Sequence, residues 1–291
     1  MRIVFFGSPD FAAVSLRALL DSEHEVLAVV SQPDRAKGRS GKKTPTATAA
    51  LALDMGLPVM RPDKVRDKEF GAELEKFGAD IFVVVSYGQF LPTRLLDMPR
   101  HGAINVHASL LPKYRGASPI ASAILNGDAA TGCCIMQMDQ GMDTGPVLHS
   151  RDIPIDDADT AGTLTEKLAD LGGQALLEAL DKIAIGRAVA VPQDNALATH
   201  APLLTKDMGR IDFTKTAAQI HNQVRGMDPW PGAFMDHDGT TLKVWRADIV
   251  REGAKPLGMG VACADGFIDL LEVQAPGGRR IPTSEYLRGR R

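Results

Sequence analysis

The 291-residue sequence predicts an α/β fold, with a mainly parallel sheet layered between helices followed by a small antiparallel β-barrel. Three observations lead there. Short apolar strands alternate with helical segments through the first half, which is how a parallel sheet with helical crossovers reads. After about Lys206 the text changes to strands joined by tight turns, which suits a small barrel. The length corresponds to two domains at about 150 residues each, either able to bury a core.

Taken in order, apolar runs place strands at 3–6, 26–30, 58–60, 81–85, 103–106 and 132–138. Helical patterns such as "DFAAVSLRALLDS" and "DKEFGAELEKFGA" lie between several of them. Pro9 suits a first helical turn and Ser8 its cap. Leu164, Leu168, Leu171, Ala175 and Ala179 recur near helical spacing and predict a long helix over 160–185, which closes a first domain at 1–186. Residues 187–205 carry two prolines and no sustained period, and read as a linker. The second domain, 206–291, begins with a helix over 216–224. Asp238-Gly239 and Asp265-Gly266 mark hairpin turns in it.

Composition narrows the function classes. Hydrophobic residues make up 44% and charged residues 24%, as in ordinary globular chains, and no apolar run approaches the roughly 18 residues that cross a bilayer. The opening "MRIVFFG" reads directly as strand rather than as a signal peptide, so no membrane association and a cytoplasmic address are expected. A monomer is expected as well. Cys133, Cys134 and Cys263 form neither a CxxC pair nor an even disulfide set, and read as reduced core residues. The net charge of −3 is not that of a typical nucleic-acid binder. Its distribution is uneven: residues 206–291 hold 13 Lys+Arg against 11 Asp+Glu, leaving 20 against 25 for the rest. The final "GGRRIPTSEYLRGRR", five arginines against one glutamate, is either a solvated tail or a phosphate contact, and it reads as a short last segment.

"VFFGSPDFAAVSL" is a strand, glycine turn and helix, where a dinucleotide would dock. Gly7 is followed by Ser8, Pro9 and Asp10 and not by further glycines, which disfavours a nicotinamide cofactor. "INVHASLLP" is more informative. Residues two apart on a strand project to one face roughly 6–7 Å apart, so Asn105 and His107 form a fork aimed at one volume. An amide and an imidazole placed so can hold a developing oxyanion; a turn-satisfying asparagine and an ordinary buried histidine are the alternative. His101 and His107, six apart and without companions, make no metal site. Asp139 and Asp143 lie in the glycine-rich turn of "GCCIMQMDQGMDTGPVL". A parallel neighbour strand would bring that turn beside His107, where Asp143 can orient the imidazole or move a proton.

Together, "INVHASLLPKYRGASPI" and "GCCIMQMDQGMDTGPVL" resemble the formyltetrahydrofolate-dependent formyltransferases. "GSPDFA", "SQPDRAKGRSGKK", "VVVSYGQFLP" and "MDPWPGAF" extend the likeness over most of the chain, towards the branch that formylates methionyl initiator tRNA. The resemblance implies a Rossmann-like domain followed by an OB-like, tRNA-binding barrel, with 10-formyltetrahydrofolate as formyl donor, no metal, and methionyl initiator tRNA as partner. It implies Asn105, His107 and Asp143 as the catalytic trio, and Ser109, Leu110, Leu111 and Pro112 as the lining of the folate site. Arg35, Lys37, Arg39, Lys42 and Lys43 crowd a Gly/Ser-containing stretch with no acid between Asp34 and Asp54. On their own they read as a solvated loop; the resemblance implies contact with the tRNA acceptor region, Arg39 foremost. Trp230 in "DPWP" is expected to pack inside its domain.

Overall fold

The computed structural model describes residues 1–36 and 43–289, with Arg35 and Ala36 described as backbone only. The chain forms two compact units. The first comprises residues 1–115, 132–153 and 165–200, and the second 116–131, 154–164 and 201–291.

In chain order the elements up to the long helix are β1 (Arg2–Gly7), α1 (Asp10–Leu20), β2 (Glu25–Val30), β3 (Arg35–Ala36), β4 (Lys43–Thr44), α2 (Ala47–Asp54), β5 (Val59–Met60), α3 (Lys68–Glu75), β6 (Ile81–Val85), α4 (Thr93–Leu96), β7 (Ala103–His107), β8 (Arg115–Gly116), α5 (Pro119–Leu125), β9 (Ala130–Gln137), β10 (Val147–Pro154) and α6 (Ala161–Ala184). The main sheet has seven strands in the order β10-β9-β7-β6-β1-β2-β5. Five of them, from β5 to β7, run parallel, and β9 is antiparallel to β7.

The pleat sorts the apolar residues of β1 into two cores. Ile3 and Phe5 join Val29, Val83 and Val106 under Leu16 and Leu19 of α1 and Ala175, Leu176 and Leu180 of α6. Val4 and Phe6 join Val30, Phe82 and Val84 under Phe70 and Leu74 of α3 and Leu95 of α4. A strand buried on both faces reads as a continuous apolar run, which is why "IVFF" and "IFVVV" were legible. Gly172 lets α6 lie close on the sheet: a Cβ there would sit 3.0 Å from Val106 Cγ1 and 3.4 Å from Cys133 Sγ. The start of α1 departs from expectation. Pro9 itself occupies the cap position and makes no side-chain cap bond, while Ser8 Oγ accepts from Gln32 N at 3.0 Å.

The remaining elements are β11 (His200–Ala201), α7 (Ala217–Gly226), β12 (Ala233–His237), β13 (Thr240–Ile249), β14 (Met259–Cys263), β15 (Gly266–Gln274), β16 (Ile281–Pro282) and α8 (Thr283–Arg288). β12-β13-β15-β14 form an antiparallel sheet with β16 added to β15. This is the expected antiparallel barrel architecture in half-barrel form. Ile220 and Val224 of α7 cover Leu242, Val244, Ile268 and Leu270 of the sheet. A capping box at Thr216 and Gln219 starts α7. Asp238 and Gly239, both at positive φ (48° and 73°), form the β12–β13 turn as expected. The next turn is shifted by one residue: Cys263 pairs with Gly266, so Ala264 and Asp265 make the bend and Gly266 opens β15. Trp230 is 52% exposed instead of packed inside its unit, whose interior tryptophan is Trp245, under the guanidinium of Arg280 at 3.6 Å.

The compact units differ from the linear division into 1–186, a linker at 187–205, and 206–291. Residues 116–131, with α5, belong to the second unit, where α5 packs on α7. A Cβ at Gly226 would lie only 2.9 Å from Leu125 Cγ, which marks how closely these helices approach. Residues 187–200 belong to the first unit and are bonded to it, for example through the Val147–Val191 bridge with both N–H···O contacts at 2.9 Å. Among the described residues no helix is long and apolar enough to cross a membrane, and no three His, Cys, Asp or Glu side chains gather as a metal site.

Candidate active site

The fork predicted on β7 forms. Asn105 and His107 pair with Met136 and Cys134 of β9, two residues apart on the strand and so on one face. His107 is buried, at 6% exposure, while Asn105 is half-buried. Among the described residues the Asn105 amide has no hydrogen-bond partner, so it remains available to a ligand.

The imidazole is oriented by the loop after β7. Its Nε2 lies 2.9 Å from the carbonyl of Tyr114. A carbonyl can only accept, so Nε2 carries a hydrogen and Nδ1 is the atom turned to the site. Nδ1 stands 3.7 Å from Oδ2 of Asp143, close enough for an ion pair and too far for a direct hydrogen bond. Both neighbours of His107 sit on left-handed backbone, Tyr114 at φ 60° and Asp143 at φ 54°. For a tyrosine this is an outlier, held because Tyr114 N donates to Thr199 Oγ1 at 2.9 Å and Arg115 N to Thr199 O at 2.9 Å.

Asp143 reaches His107 by another route than the parallel neighbour expected. β9 is antiparallel to β7, so its carboxyl end, Gln137, lies opposite Ile104 and away from His107. The turn over 138–146 instead folds back. Asp139 closes it by accepting from Gly141 N at 2.9 Å and Thr144 Oγ1 at 2.7 Å, which leaves Asp143 as the carboxylate facing the imidazole. Gly145 lies on the end of β9, where an added Cβ would stand 3.6 Å from Asp139 N and collide with the Gln137 carbonyl.

In the "SLLP" segment the four residues divide. Ser109 is fully buried and its hydroxyl donates to Lys113 O at 2.6 Å, which closes the turn. Leu110, Leu111 and Pro112 are half-buried beside the fork, and Leu111 N donates to Cys134 Sγ at 3.3 Å. Burial pushes the thiol of Cys133 up to about 12 and that of Cys134 up to about 11, so both stay protonated at neutral pH.

Of the basic residues, Lys37, Arg39 and Lys42 lie outside the described residues, as does the side chain of Arg35. The described flanks form an antiparallel stem, Arg35 opposite Thr44 and Ala36 opposite Lys43, with Lys43 exposed.

Sequence reasoning missed a polar network behind the site. Arg115, only 5% exposed, donates through Nε and Nη2 to Gln193 Oε1 at 3.0 and 2.8 Å, and through Nη2 to Asn195 Oδ1 at 2.8 Å. Gln193 Nε2 donates to the carbonyls of Asp143 and Gly145 at 2.8 and 2.7 Å. Arg115 stands within the "LLPKYRG" text already singled out, whereas nothing in "VPQDN" marks Gln193.

Comparison with known proteins shows the family and the fold. The formyl transferase family model matches residues 1–180, and the formyl transferase C-terminal domain model matches 203–291. The methionyl-tRNA formyltransferase of Geobacter sulfurreducens is 44% identical over 297 residues, covering 99% of this chain and 94% of that protein. That of Caldanaerobacter subterraneus subsp. tengcongensis is 44% identical over 299 residues, covering 99% and 97%. Among solved structures, the N-formyltransferase from Helicobacter canadensis in complex with folinic acid and dTDP-3-aminofucose superimposes with a TM-score of 0.70 at 19% identity, covering 96% of this chain and 99% of that one. HypX from Aquifex aeolicus in complex with tetrahydrofolic acid gives a TM-score of 0.65 at 17% identity, covering 99% of this chain and 47% of that one. With both domain models matched in order along the chain and full-length relatives at 44% identity, the chain belongs to the formyl transferase family.

Proposed function

We infer that the protein transfers the formyl group of 10-formyltetrahydrofolate to the α-amino group of methionyl initiator tRNA, giving N-formylmethionyl-tRNA for translation initiation. The observation that carries this reading is the convergence of Asn105, His107 and Asp143 in a chain 44% identical, over 99% of its length, to methionyl-tRNA formyltransferases. Neutral amine attacks the formyl carbon, and the formyl oxygen gains negative charge. The Asn105 amide and an N–H at His107 Nδ1 stabilise that oxygen. Nδ1 takes this part because Nε2 is already engaged by Tyr114 O. Asp143, 3.7 Å from Nδ1, orients the imidazole and helps move the amine proton, through water, towards the departing folate nitrogen. The C–N bond to the folate breaks as the tetrahedral intermediate collapses, and no covalent enzyme intermediate is involved.

Leu110, Leu111 and Pro112 provide apolar surface beside the fork for the folate. The cations at 35–43 engage tRNA phosphates, with Arg39 at their centre, and the second unit provides further tRNA contacts. We infer a monomer acting in the cytoplasm. The direct test is incubation with 10-formyltetrahydrofolate and charged initiator tRNA. Formylated methionyl-tRNA is the expected product, and its absence while an amino-sugar nucleotide is formylated would reassign the acceptor.

A further inference from the structure

We propose that Gln193 is a positioning residue of the catalytic centre, holding the Asp143 carboxylate at its working distance from His107. The proposal rests on the catalytic reading given above. Gln193 lies between the two regions matched by the family models, 1–180 and 203–291, in a stretch that reads as mere linker. In the structure that stretch grips both sides of the imidazole. On one side Thr199 takes the backbone N–H groups of Tyr114 and Arg115, and Tyr114 O receives His107 Nε2. On the other, Gln193 Nε2 binds the carbonyls of Asp143 and Gly145. Arg115 joins the two halves, since its guanidinium grips Gln193 and Asn195.

The residue type follows from this position. An amide offers two N–H donors on one atom and an acceptor on the other, and here both donors meet carbonyls while the acceptor takes two N–H groups of Arg115. A glutamate would keep the grip on Arg115 and lose both donors. Asp143 also needs holding, because its φ of 54° is a conformation that costs energy unless its surroundings fix it. Arg115 pairs with no carboxylate among the described residues, so its charge rests on these amide oxygens and ties the clamp to the buried side of the site.

The test is steady-state formyl transfer by wild type, Gln193→Ala, Gln193→Glu, Asp143→Asn and the double variant Asp143→Asn/Gln193→Ala, with thermal midpoints for each. Misplacing a reacting group by about 1 Å costs on the order of 100-fold in rate, so either Gln193 change should lower kcat about 10- to 100-fold while both KM values stay within about threefold. Gln193→Glu retains the contact to Arg115 and carries the test if the alanine variant is unstable. In the double variant the Gln193 change should cost nothing beyond Asp143→Asn, because its effect passes through Asp143. A Gln193→Ala kcat within twofold of wild type, or losses that multiply in the double variant, would overturn the proposal. Full activity in Asp143→Asn would instead overturn the catalytic reading beneath it.

Discussion

In the proposed mechanism Asn105 has the simplest part, because its amide is half-buried and, among the described residues, has no hydrogen-bond partner. Removing one such donor costs about 3–4 kcal/mol, so Asn105→Ala should lower kcat on the order of 100- to 1000-fold with little change in KM for the formyl donor. Near-normal turnover in that variant would take the oxyanion role away from it. The cysteines make a second test at this scale. Cys133 and Cys134 are buried with thiols raised to about 12 and about 11, so at pH 8 neither offers thiolate to a reagent. Titration of the native protein with a disulfide reagent should therefore modify Cys263 alone of the three, and the other two only on unfolding. Rapid modification of all three would contradict the burial assigned to β9.

At the scale of elements, the strands buried on both faces were legible because nothing but apolar residues survives there: "IVFF", "IFVVV" and the run before Asn105 all became sheet. The long helix was legible for the same reason, since one stripe of it faces the core. β10, "VLHSRDIP", was not, because as the sheet's last strand it alternates with charge and lacks an apolar run. Nor could text alone give the direction of β9, which decides how Asp143 reaches His107. Asn105 and His107 were readable from their spacing, and Asp143 only as a member of a set. Gln193 was not readable at all, since its role arises from contacts 48 and 50 residues away in sequence. The turn that returns Asp143 is also where a small change should be felt. An added methyl at Gly145 collides with the Gln137 carbonyl, which is backbone and cannot rotate away. Gly145→Ala should lower the thermal midpoint by several degrees, at about 1–3 kcal/mol of overpacking, and reduce kcat with it. Unchanged stability and turnover would mean that the turn does not rest on β9.

For the whole molecule, the question is how an acidic chain of net charge −3 meets a polyanion. In the proposed reading the cations at 35–43 supply that contact; of their flanks, Ala36 pairs with Lys43 and Arg35 with Thr44. Each phosphate contact releases counterions, so KM for the tRNA should rise steeply with salt while KM for the formyl donor changes little. Arg39→Ala should raise the tRNA KM and flatten that salt slope by about one contact. An equal rise in both KM values would point away from a tRNA role for this stretch. The organisation into two units bears on the same question, because α5 belongs to the unit of the half-barrel and residues 187–200 to the unit of the fork. Up to residue 200, the segment between the two matched family regions therefore belongs to the first unit.

The most direct test is single-turnover formyl transfer from 10-formyltetrahydrofolate to methionyl initiator tRNA by wild type, His107→Ala and Asp143→Asn, with folate binding measured alongside. General acid–base groups contribute about 100- to 10,000-fold, so the account predicts product from wild type and at least a 100-fold slower step in each variant, with folate still bound. Transfer at the wild-type rate by either variant would contradict it.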